Sequence, residues 1–421
     1  MATGNNNADC APIWGDFVDP GDESKVEYAS EPLVRYELGL YYPVCIGEVL
    51  VNRYRVEHKL GHGGYSTVWM AHDMVTNEDV ALKIMTPGPS GEREYTAQKK
   101  IASTVQDTTR LLIYQGTFML PTPFKTTQHR VLVFPLLGPS LRTYASSMST
   151  AARRSSAKQL LQAIKALHDG GIVHRGMLPM QFLSRQSEED FNPCDTDINS
   201  ANVLYGLAPF KSGTTVSAKY EYLGRPRKVP IPTSRRILKT GELVMPIAPH
   251  KSMVNGTVTL ADFGLAAETG TTVECKIQSP AIYCAPERLH NADPGFASDM
   301  WSYMCIFAEL FLGVPLFFGS EHSSVVDFMV KCLGPLPLAW RGFYEGRQYN
   351  ESWYDQNRGP DPRQTLEAKL KRSLYNISPV EQKLVLSILR RGLSYSPEHR
   401  FSAGQLLEDA SFKELMALHG L

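Results

Sequence analysis

The sequence lacks the cysteine pattern of a disulfide framework or a zinc site. The chain of 421 residues has seven cysteines, and no two stand in a Cys-x-x-Cys spacing. This odd, scattered set indicates reduced thiols in a cytoplasmic or nuclear protein. No apolar run reaches the roughly 18 residues of a membrane-spanning helix, and the most apolar segment, 300–318, contains Glu309 and Pro315 and predicts a buried helix. The N-terminus has no secretory signal pattern.

An excess of charge of one sign is also missing. The chain has 43 basic and 43 acidic side chains, and 43% of its residues are hydrophobic. A net charge of zero argues against a general nucleic-acid or membrane-surface binder. The composition excludes a collagen, a coiled coil and a wholly disordered chain. Acids concentrate in the first 33 residues, where seven stand against one lysine and predict a mobile acidic tail.

Short β-type runs dominate the N-terminal part of the chain, and helical periodicity dominates the C-terminal part. The runs YRVEHKL, STVWMAHD and DVALKIM predict three antiparallel strands, and HRVLVFPLLG predicts another. A helix is expected to begin near Ser90. Apolar residues recur at spacings of three and four from 151 to 168, which predicts a second helix. The predicted fold class is α+β, with a small β-rich lobe followed by a larger, mostly helical lobe.

Two irregular stretches interrupt this pattern. Residues 208–256 are rich in Pro, Gly, Ser, Thr and Lys and predict a long insert or ordered loop. Residues 176–196 are irregular as well. The predicted organisation is an acidic tail and extension over 1–50, a small lobe over 51–138, and a large lobe over 139–415 that carries both insertions.

Motifs for phosphate and metal binding follow one another along the chain. LGHGGYSTVW places glycines in a strand-turn-strand, where the missing Cβ lets backbone N–H groups approach phosphate oxygens. VALK supplies Lys83, which can reach phosphates from a strand. LADFGLA supplies Asp262, a carboxylate of the kind that Mg²⁺ takes as a ligand. YCAPERL, SDMWSY and SPEHRFSA follow, and we expect Glu287 of the first to pair with Arg400 of the last.

These motifs, in this order, resemble the eukaryotic protein kinase family over about residues 54–412. The resemblance implies ATP and Mg²⁺ as cofactors, with Lys83 as the ATP anchor and Glu94 as its helical partner. Glu92 is the second choice, because the helix frame is not fixed by the sequence. Phe134 matches the gatekeeper, and Pro135 removes one N–H donor from the hinge. The implied nucleotide-binding residues are Leu60, Gly61, Gly63, Ser66, Val68, Ala81, Lys83, Phe134, Leu136 and Leu204.

The catalytic loop of the family is interrupted in this sequence. The family frame H-R-D-x-x-x-x-N supplies a carboxylate for the substrate hydroxyl and an asparagine for metal. Here GGIVHR is followed by 21 residues and then by DINSANVLYGL. Removing 176–196 restores the frame, with Asp197 as the catalytic base and Asn202 as a metal ligand beside Asp262. The usual lysine two residues after the aspartate is Asn199.

Two interpretations of residues 176–196 stay open. The codons for Gly176-Met177 can contain an intron-like start and those for Thr196-Asp197 an intron end, so the segment resembles a translated intron. The alternative is a genuine insertion, and the chain is then a pseudokinase that binds nucleotide or acts as a scaffold. A shift of ~1 Å in a catalytic site can cost ~100-fold in rate.

A third hypothesis for the function of the chain, a small-molecule phosphotransferase, is disfavoured because the APE and DxW elements build a platform for a peptide.

The block YYPVCIGEVLVNRYRVEHKLGHGGYSTVWMAHD resembles the SR-protein-specific kinase branch, of divergent fungal type. Ser66 and the insert at 208–256 suit that branch, whereas Cys284 replaces its usual arginine. The resemblance implies a non-specific serine/threonine protein kinase with protein substrates, Arg/Ser-rich ones among them. It implies a monomer without direct nucleic-acid or membrane partners. The activation segment, 262–287, is either constitutive or phosphorylated, with four candidate hydroxyls at Thr269, Thr271, Thr272 and Ser279.

Overall fold

The computed structural model describes residues 14–121, 128–175, 200–232, 237, 239–273 and 281–421. Within them the strands are, in chain order, β1 (Asp16–Phe17), β2 (Val49–Leu50), β3 (Tyr54–Gly63), β4 (Ser66–Asp73), β5 (Glu78–Met85), β6 (Gly116–Pro121), β7 (Gln128–Pro135), β8 (Leu137–Ser140), β9 (Ile172–Val173), β10 (Val203–Leu207), β11 (Arg227–Pro230), β12 (Glu242–Val244), β13 (Val254–Leu260) and β14 (Ala267–Glu268). The α-helices are α1 (Glu23–Ala29), α2 (Val34–Glu37), α3 (Pro89–Thr104), α4 (Leu141–Tyr144), α5 (Thr150–Asp169), α6 (Val216–Leu223), α7 (Phe296–Leu312), α8 (His322–Leu333), α9 (Leu366–Lys371), α10 (Pro379–Gly392), α11 (Ala403–Glu408) and α12 (Ala410–Ala417).

Contacts divide the chain into two compact units. The β-rich unit comprises residues up to 91, 114–137 and 207–254, and the helical unit comprises 92–113, 138–206 and 255–421. The α+β fold class expected from the sequence is confirmed. The predicted lobe boundaries stay a prediction.

The β-rich unit is built on a six-stranded antiparallel sheet with the order β2-β3-β4-β5-β7-β6. The four strands predicted from the sequence are β3, β4, β5 and β7, and they are confirmed. Alternate side chains of these strands, among them Trp69, Leu82 and Val133, lie on one face in an apolar core. Val44 and Ile46 of the N-terminal segment pack into the same core, so this segment covers that face of the sheet.

The N-terminal segment is folded from residue 14 onward, and the mobile tail expected over the first 33 residues is wrong for this part. Val26 of α1 is fully buried in a second apolar cluster. Glu31 forms an ion pair of 2.5 Å with Lys59 of β3, and both side chains are completely buried. The acids misled the prediction because a carboxylate paired with a buried lysine looks, in the sequence, like a solvated one. Residues 1–13 lie outside the described residues.

The described part of the segment 208–256 contains α6, β11 and β12 and belongs by contacts to the β-rich unit. Strand β11 pairs in parallel with β1 and antiparallel with β12. Lys219 of α6 contacts Glu57 of β3 at 2.7 Å and Asp79 of β5 at 2.5 Å. This insert was expected as a spacer of the large lobe. Charged side chains carry part of its attachment to the sheet, together with apolar ones such as Val244, which lies in the core of the sheet.

In the helical unit, α5 and α7 are the most extensively buried helices. The helix predicted over 151–168 is α5, where the Ser149 side chain accepts a hydrogen bond from the Ala152 N–H at 3.2 Å and caps the N-terminus. The buried helix predicted from the apolar segment at 300–318 is α7. It ends at Leu312, because Gly313 takes a left-handed conformation with φ 80°. Within the described ranges, no helix combines the length and apolarity needed to cross a bilayer.

Candidate active site

The glycine-rich motif forms the hairpin between β3 and β4. Gly61 pairs with Val68 and Gly63 with Ser66, which leaves Gly64 and Tyr65 as a two-residue loop. Leu60 is the extra residue of a β-bulge, because Lys59 and Gly61 pair with consecutive residues of β4. A Cβ added at Gly61, Gly63 or Gly64 would meet no atom within 4 Å. The backbone of this hairpin is therefore open to a ligand that lies close to its peptide groups.

The register of the sheet puts four predicted nucleotide-binding residues on one face. Val68 lies opposite Lys83, and Ala81 lies opposite Phe134. Directly paired residues of an antiparallel sheet share a face, as do residues two apart on one strand. Lys83 is therefore on the face opposite the apolar core of Trp69 and Leu82. Phe134 and Ala81 are buried, and Leu136, just beyond the end of β7, is half-buried.

Helix α3 carries both glutamates considered as the partner of Lys83. Glu94 is 0% exposed, whereas Glu92 lies on the exposed side of the helix. A buried carboxylate requires a compensating partner far more than an exposed one does, so the burial favours Glu94. Its pairing with Lys83 stays a prediction.

Asp299 of α7 fixes the start of the predicted catalytic loop. Its carboxylate accepts hydrogen bonds from the backbone N–H of His174 at 2.7 Å and of Arg175 at 3.2 Å. His168 Nε2 lies 3.0 Å from the same carboxylate. Burial opposes ionisation of Asp299, but the hydrogen bonds from the His168 side chain and the His174 backbone hold its pKa below the usual value. The sequence flagged Asp299 through the DxW motif and gave no hint of this bonding.

His174 also contacts the segment that carries Asp262. Its Nε2 lies 3.0 Å from the carbonyl oxygen of Ala261, and its ring packs edge-on against Phe263 with centroids 5.3 Å apart. Burial lowers the pKa of His174, so the neutral ring is favoured. Asp262 has a positive φ of 67°, a conformation that few non-glycine residues adopt and that recurs at active sites.

The two predicted metal ligands of the helical unit lie in neighbouring segments. The backbone N–H of Ala261 donates to the carbonyl oxygen of Asn202 at 2.9 Å, so Asn202 sits beside the residue that precedes Asp262. Asn202 is buried, and Leu204 is half-buried in β10. Among the described residues no group of three or more His, Cys, Asp or Glu forms a ready metal site. Asp197, the predicted catalytic base, and Asn199 lie outside the described residues.

The activation segment is held at both ends within the helical unit. At its start, β14 pairs with β9, and the N–H of Thr269 donates to Gly171 O at 2.9 Å. Near its end, Arg400 makes two hydrogen bonds of 2.7 Å to the two carboxylate oxygens of Glu287. This confirms the ion pair expected from the sequence. Of the candidate phosphorylation sites, Thr269, Thr271 and Thr272 are described; Ser279 lies outside the described residues.

A series of hydrogen bonds between polar side chains near the end of this segment was not predicted from the sequence. Tyr283 donates to Glu309 Oε2 at 2.7 Å, and its hydroxyl lies 3.1 Å from Ser200 Oγ. Burial raises the pKa of Glu309 despite these hydrogen bonds. These hydrogen bonds connect α7 to Ser200, which stands two residues before Asn202. The only sequence signal for it was Glu309 standing alone in an apolar run.

The chain belongs to the protein kinase domain family, whose model matches residues 54–200 and 249–412. Serine/threonine protein kinases are among its relatives. One, from Aspergillus fumigatus, is 27% identical over 416 residues, which cover 94% of this chain and 93% of that protein. The serine/threonine-protein kinase SRPK of Physarum polycephalum is 25% identical over 419 residues, covering 94% and 92%. A crystal structure of a kinase domain, at 19% identity, superposes with a TM-score of 0.57 over 89% of this chain and 99% of that one, which shows the shared fold.

Proposed function

We propose that this chain transfers the γ-phosphoryl group of ATP to serine and threonine hydroxyls of proteins, and that Arg/Ser-rich proteins are among its substrates. The observation that carries the proposal is the bonding around Asp299. One carboxylate holds the backbone of His174 and Arg175, and His174 in turn contacts the segment of Asp262. Such a preorganised arrangement is what phosphoryl transfer requires, because positioning and electrostatics supply most of its catalysis.

The residues present fit ATP and Mg²⁺. The glycine hairpin leaves open space beside its peptide groups, and Lys83 shares a sheet face with Val68, Ala81 and Phe134. Asp262 and Asn202 offer the oxygen ligands that Mg²⁺ prefers, and the left-handed backbone of Asp262 is the kind of strain found at metal and catalytic sites. When bound, Mg²⁺ neutralises charge on the phosphates.

In this mechanism the N–H groups of the glycine hairpin and the ammonium group of Lys83 bind the phosphates. Val68, Ala81 and Phe134 form the apolar surface for the base. Asp197 accepts the hydrogen bond, and then the proton, of the substrate hydroxyl. The Glu287–Arg400 pair keeps the peptide-binding end of the activation segment in place.

A phosphotransfer assay on the chain with and without residues 176–196 tests the proposal. We expect the shortened form to phosphorylate a serine peptide, and Lys83→Met and Asp262→Asn to reduce its rate by about 100-fold or more. Lys25→Met is the matched control, because Lys25 is 66% exposed on α1. Inactivity of both forms would refute the proposed kinase activity. The relatives named above give no support to the pseudokinase alternative.

The substrate class needs its own comparison. Peptides of alternating Arg and Ser, Lys and Ser, and Ala and Ser separate recognition of the guanidinium from recognition of charge. Arginine can hold a carboxylate through two parallel hydrogen bonds and lysine cannot, so we expect the highest kcat/KM for the Arg/Ser peptide. Equal values for the three peptides would contradict the Arg/Ser proposal and leave the kinase proposal intact.

A further inference from the structure

The folded N-terminal extension holds the glycine hairpin from one side. The Tyr41 hydroxyl donates to the carbonyl oxygen of Gly63 at 2.7 Å, and Arg35 Nη1 donates to the carbonyl oxygen of Gly64 at 2.8 Å. Both side chains are buried, with exposures of 3% for Tyr41 and 8% for Arg35. The guanidinium of Arg35 lies 5.4 Å from the centroid of the Tyr41 ring, so the two donors also pack against each other.

These two hydrogen bonds fix the direction of two backbone N–H groups. In a planar trans peptide the N–H points opposite to the C=O. Gly63 O shares its peptide with the N–H of Gly64, and Gly64 O shares its peptide with the N–H of Tyr65. Because Tyr41 and Arg35 hold the two carbonyls, both N–H groups are aimed away from the extension. Glycines turn their peptides at little steric cost, so these two contacts add to the strand pairing of Gly63 with Ser66 in restraining the peptides of the loop.

The extension is itself firmly anchored to the sheet. Tyr36 donates to Glu31 Oε1 and packs edge-on against Tyr41 with centroids 5.7 Å apart. Glu31 pairs with Lys59, whose ammonium group lies 4.1 Å from the Trp69 ring centroid on β4. Through these contacts Arg35 and Tyr41 are linked to β3 and β4, the strands that flank the hairpin.

We propose that Arg35 and Tyr41 are positioning residues, which hold Gly64 and Tyr65 with their N–H groups directed to the phosphates of ATP. The proposal rests on the proposed kinase function. It concerns a part of the chain that precedes residue 54, where the match to the kinase family begins. The geometry thus adds two residues outside the common domain to the phosphate-binding apparatus.

The ionisation of Tyr41 is compatible with this role over the physiological range. Burial raises the pKa of Tyr41 to about 12, although the nearby Arg35 works in the opposite direction. The phenol therefore keeps the proton that it donates to Gly63 O, and no pH switch is expected near neutrality.

The test compares Tyr41→Phe and Arg35→Lys with Tyr28→Phe. Tyr41→Phe removes one hydroxyl, and Arg35→Lys keeps the charge but shortens and reshapes the donor. Tyr28 lies in the same extension with 93% of its side chain exposed, which makes Tyr28→Phe the matched control. Two quantities are measured on the full chain: amide hydrogen exchange of residues 61–66 without nucleotide, and the affinities for ATP and for adenosine by calorimetry.

We expect exchange in the hairpin to accelerate in Tyr41→Phe, and the affinity for ATP to fall about 5-fold, the equivalent of one ordinary hydrogen bond of ~1 kcal/mol. Adenosine has no phosphates, so its affinity should not change. Arg35→Lys should give a smaller effect of the same kind. If the two residues had a purely structural role, the variants would lower the affinities for ATP and for adenosine equally or change neither affinity.

Unchanged amide exchange of the hairpin in Tyr41→Phe would overturn the proposal, whatever the nucleotide affinities of this variant are. Faster exchange with an unchanged ratio of ATP to adenosine affinity would overturn it as well, since the hairpin would then be held for another reason. A wild-type chain that binds no ATP would refute the proposed function. In that case the exchange measurement still decides whether the extension holds the hairpin.

Discussion

Removing Arg400 should destabilise the helical unit more than removing any exposed cation. The Arg400 side chain is 0% exposed and that of Glu287 8%, and two hydrogen bonds of 2.7 Å join them. Arg400 also donates to Ala297 O at 2.9 Å and to Ser394 O at 2.7 Å. Breaking a buried pair by deleting one partner costs about 3–5 kcal/mol, because the remaining charge stays buried without compensation. We expect Arg400→Met to lower the free energy of unfolding by that amount.

Urea unfolding of four variants measures the effect. Arg390→Met is the control, since its ion pair with Glu367 has side-chain exposures of 64% and 37% and should be worth less than about 1 kcal/mol. Glu287→Gln removes the charge that Arg400→Met leaves behind, so the double variant should lose clearly less than the sum of the single losses. Equal losses of unfolding free energy in Arg400→Met and Arg390→Met would refute the reasoning. So would a double variant, Arg400→Met with Glu287→Gln, whose loss equals the sum of the two single losses.

Three further predictions concern other parts of the molecule. A hydrogen bond from Arg53 lowers the pKa of Asp73 from 3.8 to about 2. The ionised Asp73 therefore stabilises the folded state above pH 3.8, and this stabilisation is lost as the pH falls towards 2. The difference in unfolding free energy between wild type and Asp73→Asn, measured from pH 7 down to pH 3, should shrink below pH 4. Gly392→Ala should lower the free energy of unfolding by about 1–2 kcal/mol in chemical denaturation, because the new Cβ would lie 2.6 Å from atoms of the buried Met304. The control Gly404→Ala, whose Cβ would meet only Lys165 Cε at 3.6 Å, should be neutral or stabilising by up to ~1 kcal/mol. An equal cost for both variants would contradict the packing argument. Asp299→Asn should lower kcat at least tenfold in the phosphotransfer assay, since an amide cannot accept all the hydrogen bonds that the carboxylate accepts, and an unchanged kcat would refute its positioning role.

The strands and the main helices could be predicted because their signals are local. The β-type runs that became β3, β4 and β5 are complete within eight to ten residues each, and α5 shows its apolar stripe within one segment. The Glu287–Arg400 pair was predictable as well, although 113 residues separate the partners, because both stand in motifs whose roles in the kinase family are known.

The sequence could not reveal contacts to backbone atoms, or ion pairs between segments that lie far apart along the chain. Arg35 and Tyr41 hold the glycine hairpin through its backbone carbonyls, and a carbonyl acceptor leaves no trace in the sequence. Lys219 looked like one more solvated lysine of a polar insert, although it lies between Glu57 and Asp79. A charged side chain has the same letter whether it is solvated or paired inside the protein.

The pairing of β1 with β11 has a consequence for folding during synthesis. Asp16 pairs with Arg227 and Phe17 with Lys228, so the β-rich unit takes its strands from both ends of a long stretch of chain. At about 5–20 residues per second, the ribosome needs about 10–40 s to reach Lys228 after Phe17 has been made. During that interval Val26 and Tyr36 have no Val229 or Leu243 to pack against. The apolar side chains of the N-terminal extension therefore lack their partners for that interval, during which chaperones that bind exposed apolar segments have access to them.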